Sequence, residues 1–150
     1  MKTSALLLFF ALSLSAAEAC SAEENEITIK SNKMNIQIGD RVLTATLVDN
    51  SSVDALIKVL SEGPLIIEMR DYGKMEKVGA LGMNLPRNDE SITTEAGDII
   101  LYQGSALVIY YEPNTWSFTR LGKIDHITRD ELKQVLGDGS VTITLSLPQD

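Results

Sequence analysis

The sequence predicts a mainly β fold, a closed or nearly closed antiparallel β-barrel with two short helices. From Ile27 onward most segments alternate apolar and polar residues, which is the period of a half-buried strand. Only two segments have helical spacing, and their wide separation along the chain argues against regular βαβ repeats. Closing such strands into a barrel, with a helix at each end, removes exposed sheet edges.

The first elements of the barrel are a hairpin and a helix. Residues 34–38 alternate, and a Gly-Asp turn leads to a second alternating strand over residues 41–49. Ser51 is the expected N-cap of the first helix, because Asp54 three residues later completes a capping-box pattern. The helix is expected to end at the Gly-Pro pair of residues 63–64, since Pro cannot continue it.

The later elements are mostly strands. Residues 65–69 are an apolar run of strand length, and residues 70–88 are expected to be irregular because they are rich in Gly, Lys and Pro. A second helix is expected to begin near Thr128, where Glu131 completes a capping box, and to end at Gly137. The remaining predicted strands are residues 99–102, 106–111, 116–121 and 141–147.

Charge and composition exclude several functions. The chain of 150 residues has 13 Lys and Arg against 21 Asp and Glu, a formal net charge of −8. This balance argues against a nucleic-acid partner and against attachment to anionic lipid by basic charge. One Cys and one His leave no intramolecular disulfide and no two-His zinc motif. We therefore expect no metal and, without phosphate-loop or dinucleotide motifs, no cofactor.

The N-terminal segment predicts export. Residues 1–19 have the outline of a secretory signal peptide, with Lys2 before an apolar run at residues 5–14. That run is shorter than the roughly 20 residues of a membrane-spanning helix. Ala-Glu-Ala at residues 17–19 fits ordinary signal cleavage, whereas the following Cys20 resembles the lipidated Cys of bacterial lipoproteins. Two locations stay open, a lipid-anchored protein of the cell envelope and a secreted or periplasmic soluble protein.

The expected domain organisation has three parts. A signal peptide at residues 1–19 precedes a tether and first short strand at residues 20–32, and the barrel domain spans residues 33–148. Residues 21–26 are polar and acidic, which is typical of a flexible tether. Contact with a membrane is expected only through a lipid anchor at Cys20.

Three local strings carry a resemblance to a known family. They are Thr-Ala-Thr-Leu (44–47), Glu-Ala-Gly-Asp-Ile-Ile-Leu-Tyr (95–102) and Thr-Arg-Leu-Gly-Lys-Ile (119–124). In their order and spacing the chain resembles the bacterial cyclophilin-like domain family over about residues 34–147. The resemblance implies a cyclophilin-type barrel on a branch distinct from the peptidyl-prolyl isomerases.

The residues that the isomerase branch uses are mostly missing. That branch has an Arg in a Phe-His-Arg string, a Phe and Gln pair, and a His four residues before the Gly of a Phe-Gly-Lys string. The corresponding Gly is Gly122, and the residue four positions before it is Phe118. The chain has no Phe-His-Arg string, and Arg70 is the nearest candidate for the catalytic Arg. Arg70 is therefore catalytic only if the chain is an isomerase.

Candidate binding residues fall in two stretches. Four of the six aromatics after residue 19 lie close together in the sequence: Tyr110, Tyr111, Trp116 and Phe118. They are expected to form a stacking surface at the mouth of the barrel, or else to be residues of the barrel core and of a hairpin tip. Tyr110 and Tyr111 alternate on one strand, so at most one of them is expected in the core.

The second stretch follows the predicted strand at residues 65–69. Glu68, Arg70 and Tyr72 form either the polar rim of a pocket or part of a solvated loop.

The leading hypothesis is an exported module that binds a small molecule or peptide and has no isomerase activity. The alternative is a weak peptidyl-prolyl isomerase or folding helper in the cell envelope, and an unrelated enzyme at the barrel mouth stays open. The expected ligand-binding residues are Glu68, Arg70, Tyr72, Tyr111, Trp116 and Phe118.

Overall fold

The computed structural model describes residues 31–149. The predicted signal peptide, Cys20 and the predicted short strand at residues 27–30 lie outside the described residues. The elements in chain order are β1 (Lys33–Ile38), β2 (Arg41–Leu47), α1 (Ser51–Ser61), β3 (Leu65–Tyr72), β4 (Glu76–Ala80), β5 (Glu90–Thr93), β6 (Asp98–Tyr102), β7 (Ala106–Tyr110), β8 (Thr115–Ile124), α2 (Arg129–Leu136) and β9 (Val141–Ser146).

Eight of the strands in the described part of the chain form a closed antiparallel barrel. Their order is β2-β1-β9-β3-β4-β7-β6-β8, and a pairing between β2 and β8 closes the ring. β5 lies outside the ring and pairs with the first half of β8. The predicted mainly β barrel with two helices is confirmed.

The barrel interior is filled by alternate residues of its strands. Ile36, Ile67 and Ile143 are inward-facing and at most 1% exposed. α1 joins the end of β2 to the start of β3, and α2 joins β8 to β9 at the opposite end. Leu56 of α1 and Leu132 of α2 are completely buried in the same cluster. Burying a side chain of this size stabilises the fold by about 1.5–3 kcal/mol.

A second apolar cluster lies on the outer face of the sheet. It consists of Ile92, Ile100, Val108, Tyr110 and Phe118, all at most 6% exposed. β5 contributes Ile92 to it, so this part of the outer face is covered. We call this set the outer cluster.

The N-cap predicted for α1 is wrong by one residue. Asn50 is the N-cap, with extended backbone angles, and its side-chain oxygen accepts a hydrogen bond from the amide of Val53 at 2.9 Å. The Asn50 amide also donates to the carbonyl of Arg120 at 2.8 Å, which ties the start of α1 to β8. That contact with a distant strand favours Asn50 over Ser51.

The second helix begins as expected. Thr128 and Glu131 form a reciprocal capping box, and Gly137 ends α2 with a positive φ of 67°. Among residues 31–149, neither helix is long and apolar enough to cross a membrane.

The expectation that residues 70–88 are irregular is wrong for their first half. β3 continues to Tyr72, and β4 begins at Glu76 after a turn in which Gly73 and Lys74 have positive φ. β4 pairs with both β3 and β7. Its pattern was hidden because Lys77, completely buried, occupies an inward position where an apolar residue is expected.

The expectation that at most one of Tyr110 and Tyr111 is buried is also wrong. Tyr110 is 2% exposed and belongs to the outer cluster, whereas Tyr111 is 7% exposed and packs in the interior cluster. The strand alternation holds, but β5 and the start of β8 cover the outer face as well. Both neighbouring residues are therefore core residues of different clusters.

Candidate functional site

A groove on the outer face of the barrel is the candidate site. It has a volume of about 550 Å³, which lies within the range of small-ligand sites. The groove runs across β3, β4, β7, β6 and β8, whose outward-facing residues line it. We call it the outer groove.

The floor of the outer groove is apolar and well packed. Val78 of β4 lies beside Val108 of β7, because these two residues are paired in the sheet. The Phe118 ring lies 5.5 Å from the Tyr110 ring and 6.4 Å from the Tyr102 ring, measured between centroids. Such tilted and edge-on contacts hold the floor in one arrangement.

The rim of the outer groove consists of exposed aromatic side chains. Tyr72 is 65% exposed, Trp116 is 63% exposed and Tyr102 is 37% exposed. Only five large hydrophobic residues are exposed in the described part of the chain, and three of them are these rim aromatics. A concentration of exposed apolar surface at one concave place is typical of a binding site.

One carboxyl group lies at the bottom of this apolar surface. Glu76 is 8% exposed and forms no ion pair with any residue of the described region. Burial raises its pKa, and a hydrogen bond from the Tyr110 hydroxyl offsets only part of that effect. Burial and the hydrogen bond to Glu76 raise the pKa of Tyr110, whose oxygen accepts a hydrogen bond from the Asn114 amide at 3.3 Å.

Arg70 forms part of the wall of the outer groove. It is an exposed residue of β3, paired with Val78, and no side chain among residues 31–149 forms an ion pair or hydrogen bond with it. A second groove of about 680 Å³ lies on its other side and is also lined by Glu68. None of the described residues that line this second groove is aromatic, so it offers no ring on which a ligand can stack.

The structure brings four of the six predicted binding residues together. Arg70, Tyr72, Trp116 and Phe118 line the outer groove. Glu68 lies in the neighbouring second groove, and Tyr111 lies in neither of them.

Six groove residues escaped the sequence analysis: Met75, Glu76, Val78, Tyr102, Val108 and Asn114. The alternation of Tyr72, Glu76 and Val78 on one face was the available signal, but the turn between β3 and β4 interrupts it.

Tyr111 belongs to a polar network under α2. Its hydroxyl donates to Asp71 at 3.0 Å, and the Gly139 amide donates to the other Asp71 oxygen at 2.7 Å. Lys77 forms an ion pair with Asp71 at 2.8 Å and donates to the Gly139 carbonyl at 2.6 Å. The Lys133 ammonium lies 5.6 Å from the centroid of the Tyr111 ring. The network ties the ends of β3 and β4 to the loop before β9.

The pKa values of this network follow from its bonds. Burial alone raises the pKa of Asp71, but the bonds from Lys77, Gly139 and Tyr111 outweigh burial and lower it. Burial and the bond to Asp71 raise the pKa of Tyr111 to about 12. The network thus holds Asp71 as a carboxylate and Tyr111 as a neutral hydroxyl. Its role is structural.

The geometry shows which chemistry the outer groove can support. In the described region, no three His, Cys, Asp or Glu side chains lie close enough together to bind a metal ion. Phe118, four residues before Gly122, is 2% exposed in the floor and supplies an apolar surface there. The groove therefore offers apolar contact, stacking, one cation and one buried carboxyl group.

Comparisons with known proteins agree with the architecture. A family model described as the cyclophilin-like family matches residues 36–146. No curated protein sequence matches the chain. Among solved structures, the solution structure of a hypothetical protein from Archaeoglobus fulgidus has a TM-score of 0.57 and 12% identity, covering 77% of this chain and 94% of that one. At this identity the similarity shows the fold alone.

Proposed function

The chain belongs to the cyclophilin-like family, and we propose that its barrel is a module that binds a small molecule or peptide and has no isomerase activity. The observation that carries this proposal is the outer groove, with exposed Tyr72, Trp116 and Tyr102 around an apolar floor. Family membership alone does not identify a function, so the proposal depends on the groove.

The energetics of the rim support binding. An apolar ligand gains about 25 cal/mol for each Å² of apolar surface that it removes from water. Stacking on an aromatic ring adds about 0.5–1.5 kcal/mol. Tyr72 and Trp116 each leave more than 60% of their surface exposed. The floor is already packed, so its side chains need no further ordering when a ligand binds.

The missing catalytic residues support the absence of isomerase activity. Rotation about an amide bond has a barrier of about 18–20 kcal/mol, set by resonance between nitrogen and carbonyl. A catalyst must stabilise the twisted amide more than the planar one, which requires a well-positioned donor beside the Pro ring. The position of the isomerase His is Phe118, a side chain without a donor.

One observation favours the alternative, a weak isomerase. Arg70 lies in the wall of the apolar groove and has no ion-pair or hydrogen-bond partner among residues 31–149. Its guanidinium group is thus available to donate to a bound peptide. The alternative predicts proline-peptide isomerisation that depends on Arg70.

The binding proposal can be tested with a neutral apolar dye. N-phenyl-naphthylamine becomes fluorescent in apolar sites and is expected to bind the full chain saturably, at one site. Tyr72→Ala and Trp116→Ala should each weaken its binding by about tenfold, because each removes one stacking surface. Ile66→Ala is the matched control, since Ile66 is 68% exposed on β3 and lies outside the outer groove. Equal binding by all three variants would contradict the proposal.

The isomerase alternative requires its own assay. The full chain and Arg70→Ala should both leave the isomerisation rate of a chromogenic proline-containing peptide at its uncatalysed value. Catalysis that disappears in Arg70→Ala would overturn the binding-only proposal and establish the alternative.

The location is a further part of the proposal. The apolar N-terminal segment followed by Cys20 supports export and a lipid anchor at that Cys. A lipid anchor holds an acidic protein at a membrane without basic charge, which is compatible with a net charge of −8.

A further inference from the structure

The outer groove contains a buried carboxyl group, that of Glu76, without an oppositely charged partner among residues 31–149. Its side chain is among six polar or charged residues buried in the described region. Lys77 and Asp98, two of the others, each have an oppositely charged partner within 2.8 Å. Glu76 forms no ion pair with any residue from 31 to 149.

An ionised carboxylate in an apolar site is costly unless a cation or several donors satisfy it. The two carboxylate oxygens together accept about four hydrogen bonds. Among residues 31–149 the Tyr110 hydroxyl is the one group that donates to the Glu76 carboxylate, and its own oxygen accepts from the Asn114 amide. The carboxylate thus has unused acceptor capacity that faces the groove.

The surrounding side chains suit a cation with an apolar body. Tyr72 and Trp116 are exposed rings at the same groove, and aromatic faces attract ammonium groups by about 0.5–2 kcal/mol. The sheet register pairs Glu76 with both Tyr72 and Tyr110, so a cation at this carboxylate has a ring on each neighbouring strand.

Arg70 makes the two ends of the outer groove differ in charge. It is paired with Val78, whereas Glu76 is paired with Tyr72, so Arg70 and Glu76 lie two residues apart along the sheet. This spacing corresponds to roughly 7 Å along a strand. A ligand cation is therefore attracted to the Glu76 end of the groove and repelled from the Arg70 end.

We propose that the outer groove selects amines, with the ligand's ammonium group paired to the Glu76 carboxylate and its apolar part stacked against Tyr72 and Trp116. This inference rests on the proposed binding function and adds the chemical class of the ligand. A net charge of −8 raises the local concentration of cations around the chain and favours the same class.

Three probes that share a phenyl ring test the inference. Phenethylamine is a cation, hydrocinnamamide is neutral and hydrocinnamate is an anion. Each is titrated against the full chain, and its binding is measured by displacement of N-phenyl-naphthylamine and by the fluorescence of Trp116. Trp116 is the single Trp of the chain, so its emission reports the groove directly.

The amine should bind about tenfold more tightly than the neutral amide, and hydrocinnamate more weakly than both, because hydrogen bonds to charged groups are stronger. Glu76→Gln should abolish this preference. Gln has nearly the same size and keeps an oxygen that accepts from Tyr110. Ile66→Ala, outside the groove, should keep the preference.

Arg70→Gln keeps the test decisive if Glu76→Gln fails to fold. Arg70 is exposed, so its replacement leaves the core intact, and the loss of its repulsion should tighten the amine and weaken hydrocinnamate. Weaker or unchanged amine binding in this variant would overturn the inference.

The failures of the two proposals are distinguishable. Equal affinity for the three probes, or an amine preference that survives in Glu76→Gln, would refute amine selection while dye binding leaves the binding module standing. Absence of saturable dye binding would refute the binding module itself.

Discussion

Replacing Gly122 with Ala should open the seam that closes the barrel. Gly122 of β8 is paired with Leu47 of β2, and the two strands approach closely there. A Cβ atom at Gly122 would lie 2.4 Å from the carbonyl oxygen of Thr46 and 3.1 Å from the Leu47 Cα. Ordinary contacts between heavy atoms are about 3.5 Å. The strands would have to separate by about 1 Å, since the obstructing atoms belong to the backbone.

The cost follows from the bonds that cross this seam. The amide of Val48 donates to the carbonyl of Leu121 at 3.0 Å, and the amide of Asp125 donates to the carbonyl of Thr44 at 2.8 Å. Losing a hydrogen bond of this kind costs about 1 kcal/mol. Overpacking adds about 1–3 kcal/mol. We expect Gly122→Ala to lower the free energy of unfolding by about 3 kcal/mol and the melting temperature by about 10 °C.

Thermal unfolding and hydrogen exchange test this expectation. Gly39→Ala is the control, because Gly39 has a φ of +56° in the β1–β2 turn and open space around it. It should cost only the backbone strain of about 1–2 kcal/mol. The amides of Val48 and Asp125 should lose protection in Gly122→Ala alone. Melting of Gly122→Ala within 2 or 3 °C of the wild type, or no lower than Gly39→Ala, would refute the steric argument about the seam.

Three further predictions concern other parts of the chain. Burial raises the pKa of Glu76 in the folded state. The contribution of this carboxyl group to stability is therefore present at low pH and lost as the pH rises through its folded pKa. Glu76→Gln should have a higher melting temperature than the wild type at neutral pH and the same melting temperature in acid. Tyr111→Phe should cost about 1 kcal/mol by removing the donor to Asp71. Because the pKa of Asp71 is lowered in the fold, that difference should shrink as the pH falls below the usual aspartate range, and a constant difference in a melting series would contradict it. Metabolic labelling with a radioactive fatty acid should mark the wild-type chain and leave Cys20→Ala unlabelled, whereas an unlabelled wild type would exclude the anchor.

The second helix and the last strand show what local patterns can predict. Thr128 and Glu131 satisfy each other within one helical turn, so their capping box forms wherever the helix packs. The alternation of β9 sends Ile143 and Leu145 inward, as a period of two requires. Features of this kind depend on neighbours within a few residues, and the sequence contains those neighbours.

The N-cap of α1 and the course of β4 show where local patterns fail. Asn50 was preferred over Ser51 because its amide reaches the Arg120 carbonyl, 70 residues further along the chain. Lys77 occupies an inward position of β4 because Asp71 and Gly139 supply its partners at the barrel end. Neither choice can be derived from adjacent residues, since Asn50 contacts β8 and Lys77 depends in part on Gly139, 62 residues further along the chain.

The candidate site likewise combines features that local sequence patterns predict with features that depend on the tertiary structure. The sequence by itself indicated a cyclophilin-like barrel and the aromatic and charged residues of two separate stretches, because strand period, caps and family strings are local. Only the tertiary structure decided that Arg70, Tyr72, Trp116 and Phe118 share one groove, that Tyr111 lies elsewhere, and that Glu76 belongs to the floor. The physical reason is strand pairing: β4 pairs Glu76 with Tyr72 across a hairpin turn and with Tyr110 across a long-range pair, and β8 brings Trp116 and Phe118 to the same outer face.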